Sequence, residues 1–180
     1  MPRKLDPDVV FAKLDALIES YPKQAFFNRP ATASAIRDTE KKLGITLPDS
    51  YKQFLRRHDG GFFSIAGSKG DADWDKPSAE WNSNCLFGLK RLAKEFKDLK
   101  TRWIVDIGWE GDWNYIPFCQ TDGQENLIFD ATANKANERA VLDAFHEVGP
   151  EEWAPVYPSF LHLLNDYVAK RGKIETIGSL

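Results

Sequence analysis

Hydrophobic positions along this chain alternate between helical spacing and short continuous runs, and that alternation predicts its elements. After Asp6-Pro7, residues Val10, Leu14, Leu17 and Tyr21 share one helical face, widened by Phe11 and Ile18. Asp6 is placed to cap this helix, and Pro7 suits its first position, where no intrahelical N–H is needed. The most organised stretch runs from Ile36 to Gly61. Ile36, Thr39, Glu40 and Leu43 recur at helical spacing up to Gly44, which can take the left-handed conformation that closes a helix. Leu47 must run extended ahead of Pro48. Asp49 then falls in the first turn of a second helix, with Tyr51, Phe54, Leu55 and His58 as its apolar stripe. Asp59-Gly60-Gly61 ends that helix and releases a strand over 62–65, with one of the two glycines expected at positive φ.

Residues 66–84 fit neither period and predict a long surface loop. A short strand or turn over 85–89 leads into a helix with Leu92, Phe96 and Leu99 inward. The β-branched run from Trp103 to Ile107 predicts a strand, followed by a turn over 108–114. Residues 115–119 and 126–129, around Asp122-Gly123, predict a hairpin, with Pro117 at an edge or a bulge. Residues 137–148 carry Ala140, Val141, Ala144, Phe145 and Val148 at helical spacing, closed by Gly149-Pro150. Ser159 is placed to cap a last helix with Phe160, Leu163, Leu164, Tyr167 and Val168 inward, stopping at Gly172. Helices and strands come in blocks, not as βαβ units. The expected fold is therefore α+β, one domain with a mainly antiparallel or mixed sheet of about five to six strands and helices packed against it.

Glu40 ahead of Leu43-Gly44, then Leu47-Pro48, then Tyr51, Phe54 and Leu55, and the Gly60-Gly61 exit together resemble the signature of the SUKH superfamily. That group includes the yeast cell-wall-synthesis regulator and many bacterial immunity proteins. Trp103 to Gly108, followed by Gly111-Asp112, resembles the family's central strand and Gly-Asp turn, and Ser159-Phe160 with Leu163-Leu164 resembles its closing helix. The resemblance spans Ala31 to Tyr167 and divides the chain three ways. Residues 1–30 form a helical extension packed on the domain, 31–172 the SUKH-like α+β domain, and 173–180 a flexible tail. One departure stands out: the commonly Gly-rich run before Gly111-Asp112 holds Trp109 and Glu110, and Trp113 follows. The resemblance implies a non-enzymatic, intracellular protein-binding domain, most directly an immunity protein that neutralises a toxin, possibly a nuclease. A regulatory or scaffold module of the cell-wall-synthesis-regulator type is the alternative, and a small-ligand binder or enzyme is a third.

Composition changes this picture little. Acidic residues number 27 against 24 basic, a formal charge of −3, which argues against coating nucleic acid. Cys85 and Cys119 lack metal or redox spacing and read as two reduced, buried thiols. The basic N-terminus has no apolar run behind it, and nowhere do 18 apolar residues run together. The expected compartment is the cytoplasm, with no membrane association. His58, His146 and His162 are scattered, and no metal site is expected. Asp71, Asp73 and Asp75 open like a calcium loop, but Lys76 stands where the turn needs Gly and Asn82 where a closing Glu is needed. Walker and dinucleotide fingerprints are absent. No catalytic residue or cofactor is expected. The binding candidates are two Trp-bearing acidic stretches. One holds Asp71, Asp73, Trp74, Asp75, Glu80 and Trp81; the other holds Trp109, Glu110, Asp112 and Trp113. Tryptophans anchor interfaces and acids steer a basic partner, so a basic toxin domain is the expected ligand.

Overall fold

The computed structural model describes residues 5–64, 83–131 and 138–174, and in it each helix begins where an oxygen acceptor meets its free N–H groups. α1 (Pro7–Ser20) opens with the Asp6 carboxylate accepting from the Asp8 N–H at 3.0 Å. α2 (Ala33–Leu43) opens with Thr32 accepting from Ala35 N–H at 3.1 Å. α3 (Asp49–Leu55) follows Pro48, which has no side-chain acceptor to offer. Its acceptor comes from far along the chain: the Glu138 carboxylate accepts from the Ser50 N–H at 2.9 Å and from the Ser50 hydroxyl at 2.6 Å. α4 (Leu89–Thr101) follows Gly88 and is capped by Asp59, which accepts from Leu89 N–H at 2.8 Å. α5 (Phe160–Ala169) starts at Ser159, as expected. Two of these helices thus depend on carboxylates remote in sequence, which couples their formation to tertiary closure.

Among the described residues seven strands form one sheet, correcting the expected five to six. They are β1 (Ala25–Phe27), β2 (Gly61–Phe63), β3 (Cys85–Leu86), β4 (Tyr115–Gln120), β5 (Asn126–Asp130), β6 (Val141–Ala144) and β7 (Ala154–Tyr157). Each pairs antiparallel with its neighbour in chain order. The α+β class stands; the extra strands are short ones without clear alternation. β1 has three residues, and β7 carries Pro155. β6 lies within 137–148, where helical spacing predicts a helix. Its four residues are all buried, so the apolar run reflects a strand covered on both faces, where period carries no signal. The expected hairpin forms between β4 and β5, and the ladder shifts register between Pro117 and Cys119, which absorbs the missing proline donor. Among the described residues, no helix is long and apolar enough to cross a membrane.

Trp103 to Ile107 is not a strand. Residues Arg102–Asp106 continue α4 as a π-helical turn, with the Ile107 N–H bonded to the Arg102 carbonyl at 2.9 Å. β-propensity reflects fit to a half-buried pleated surface, and this segment has none. Trp103 is buried, while Val105 and Ile107 are 71% and 53% exposed.

The main core joins α1, α3, α4 and α5 to one face of the sheet through Phe11, Leu14, Tyr51, Phe54, Leu92, Phe118, Phe129, Phe160 and Leu164. Residues 7–27 thus give a helix and an edge strand to the same core, and Ile174, in the segment expected to be a loose tail, is buried there. A second cluster lies across the sheet, as strand alternation requires: Leu127 and Phe129 belong to the first, Ile128 to the second. Cys85 and Cys119 are buried thiols not joined in a disulfide, and burial pushes the Cys119 thiol well up, aided by the neighbouring Cys85.

The Leu-Pro elbow shows what its signature residues do. Gly44 sits at φ +67° and closes α2. Glu40 reaches past it to accept the Leu47 N–H at 2.8 Å, while Lys52 lies 3.8 Å from the same oxygen. Tyr51 is fully buried and donates to the Phe87 carbonyl at 2.6 Å. Gly60 and Gly61 take φ of +82° and +155°. Removing the Glu40 acceptor should weaken the elbow. Glu40→Ala is expected to cost about 1–2 kcal/mol in urea denaturation, and Glu40→Gln, which keeps an acceptor, less than half as much.

Candidate functional site

The turn after the π-helical segment is built on aromatic packing. Gly108, at φ +81°, ends the segment, and the Trp109 N–H bonds back to the Trp103 carbonyl at 2.8 Å. The Trp109 ring then lies against Gly111, where a Cβ would fall 2.2 Å from it, so a larger residue requires that ring to shift. Trp109 Nε1 donates to Glu151 at 3.0 Å, which ties the turn to the 3₁₀ turn Pro150–Glu152. Edge-to-face contacts continue inward. Trp113 meets Tyr115 at 5.5 Å and Trp153 at 6.3 Å, and Trp103 meets Trp153 at 5.6 Å. Such pairs add to area burial and fix ring orientation. Tyr115 donates to the Pro150 carbonyl at 3.3 Å. Its hydroxyl is pushed up by burial and by the Asp130 and Glu151 carboxylates.

The two turn tryptophans are therefore half-buried parts of the second cluster, and neither stands free. Glu110, Gly111 and Asp112 are exposed above them, and Asp106 is exposed on the π-helical turn. Val105 and Ile107, both exposed, flank Asp106 in the chain. Sequence reasoning missed them, because a strand would have buried alternate residues of that run. A signal was present in the turn itself: π-turns occur mostly as local insertions at functional sites. The other expected stretch, Asp71, Asp73, Trp74, Asp75, Glu80 and Trp81, lies outside the described residues.

The histidines are placed apart. His58 Nε2 lies 3.1 Å from Asp15 on α1. His162 Nδ1 lies 2.9 Å from the Ser159 hydroxyl. His146 falls after β6, not on a helix, and its Nδ1 hydrogen-bonds the Glu125 carboxylate, a pair that no local sequence pattern announces. Among the described residues, no group of three or more His, Cys, Asp or Glu could hold a metal ion.

An α+β domain with a helix–elbow–helix entry, a seven-stranded meander and an acid-rimmed apolar turn is the class of structure these observations define. The model of the SMI1/KNR4 family (SUKH-1) matches residues 30–166, and the chain belongs to this family. A 34-residue stretch is 50% identical to the uncharacterized protein YnaB of Bacillus subtilis (strain 168), covering 19% of this chain and 24% of that protein.

Proposed function

We propose that this protein is a non-enzymatic interaction domain, an immunity protein that binds a basic toxin domain in the cytoplasm through the π-helical turn and the turn after it. The observation that carries this is the exposure of Val105 and Ile107 beside Asp106, Glu110 and Asp112. Solvent-facing aliphatic residues on a rigid support supply contact energy, and the surrounding acids steer a positively charged partner. The aromatic cluster underneath holds the turn in place, so little conformational entropy is lost on binding. Family membership supports an interaction role.

Binding kinetics against the toxin domain encoded beside this gene test the reading. Val105→Ala with Ile107→Ala should raise the dissociation rate at least about tenfold, equal to about 1.4 kcal/mol. Glu110→Lys with Asp112→Lys should slow association mainly at low salt, because rim charges act on encounter. Asp73→Lys with Asp75→Lys tests the other acidic stretch separately. Folded variants of the turn pair that bind with unchanged rates would refute this face. Tight binding to a cell-wall-synthesis enzyme, with none to the toxin, would instead make the protein a regulatory module.

A further inference from the structure

Behind the π-helical turn lies a cavity of about 280 Å³ that the proposed protein-binding face does not use. Arg102 and Trp103 wall it on one side, Gly123 to Asn126 of the β4–β5 hairpin on another, and Ala144 and His146 close it. Among the described residues, the lining contains no Ser, Thr or Cys. What it holds is a set of hydrogen-bond donors: a guanidinium, two side-chain amides (Gln124 and Asn126) and an imidazole.

Two local features single out this set. Gln124 sits at φ +65°, a conformation that L side chains rarely adopt and that turns usually give to glycine. Gly123 stands next to it, yet the hairpin places the left-handed residue at glutamine. That backbone choice costs free energy and sets an amide on the cavity wall. The second feature is the Glu125–His146 pair. Glu125 is buried and accepts both from the His146 backbone N–H at 3.2 Å and from the ring at Nδ1. A carboxylate only accepts, so Nδ1 carries the hydrogen and Nε2 stays available on a ring that is 55% exposed. Protonation then turns Nε2 into a donor. Arg102 is exposed, and among the described residues no carboxylate pairs with its guanidinium.

We propose that this cavity binds a small oxyanion of the sulfate or phosphate type, held by Arg102, Gln124 and protonated His146. Glu125 acts as the positioning residue that fixes the ring and its tautomer. The charged groups facing His146 are Glu125 from the hairpin and Arg102 from the π-helical turn, with exposed Glu147 beside it in the chain. Glu125 is spent on the histidine. The anion therefore meets one net positive charge when the ring is protonated and none when it is neutral, so affinity should fall as pH rises.

Titration of the intact protein with sodium sulfate at fixed ionic strength, followed by NMR of the His146 ring and the Arg102 Nε–H, tests this. Saturable shifts of both groups are expected while the ring carries its proton, with binding weakening as pH rises. Arg102→Ala lies on the surface and should fold normally yet lose saturation. Gln124→Gly relieves the left-handed backbone, so it should raise stability while weakening sulfate binding, a combination that a purely structural glutamine would not give. Linear shifts without saturation, or saturation unchanged by pH or by Arg102→Ala, would overturn the assignment.

Discussion

Gly60→Ala is expected to destabilise this protein far more than Gly44→Ala, although both glycines are left-handed. A side chain in that conformation costs roughly 1–2 kcal/mol at either position. At Gly44 nothing lies within 4 Å of the added Cβ, so the conformational cost is the whole effect. At Gly60 the same atom would fall 2.3 Å from the Gly88 nitrogen and 2.8 Å from the Phe87 carbonyl carbon. Those are backbone atoms at the start of α4, and they cannot swing aside as a side-chain tip can. Gly88 is bound in turn, because its own Cβ would meet the Asp59 carbonyl oxygen at 2.2 Å. Relief requires separating the Asp59–Gly61 turn from α4, which would also break the Asp59 cap on Leu89. The difference between the two variants in guanidinium denaturation should exceed about 1.5 kcal/mol. Equal losses would mean that the close approach to Gly88 is not tight in solution.

Phe54→Ala should cost about 3–5 kcal/mol, the range for emptying a well-packed aromatic site. Phe54 is fully buried, and its ring meets aromatic residues of its own helix region and of α5. It stacks with Tyr51 at 6.0 Å, meets Phe160 of α5 at 5.6 Å, and lies 6.3 Å from His58. Tyr51 and Phe160 pack in turn on Phe118 and Phe129 of the sheet, so the void opens where helices and sheet meet. These neighbours are rings fixed by their own partners and can collapse only partly. Phe54→Leu refills most of the volume and should lose less than half as much. A loss below about 1 kcal/mol for the alanine variant would show that this stripe does not carry the core.

The elements readable in the sequence were those whose boundaries are written in local chemistry. Asp6-Pro7, Gly44, Pro48 and Ser159 each act on their own backbone within a few residues, and each stands where its type predicts. The stretch from Trp103 to Ile107 misled because β-branched residues mark a strand only when a neighbour buries one of their faces. Here the helix before them runs on, and among the described residues no strand pairs with them. In β6 the apolar spacing fits a helix as well as a strand, and only pairing with β5 and β7 decides between them. The candidate face was half legible. Its acids and tryptophans could be named, but not that the tryptophans pack inward while Val105 and Ile107 face out. The Glu125–His146 pair joins residues 21 apart through a ladder, so no motif could announce it.

The order of the sheet also bears on how the protein behaves at high concentration. A meander that does not close has two open margins, and open margins can template strand addition between molecules. Here β1, at one margin, is three residues long and offers too short a row for a second chain to extend. At the other margin, β7 carries Pro155 opposite Leu142, beside a register shift between Val141 and Leu142. Proline removes a donor from the strand and the bulge twists it, so among the described residues neither margin presents a long, flat row of free amides. These two strands are therefore poor templates for edge-to-edge polymerisation.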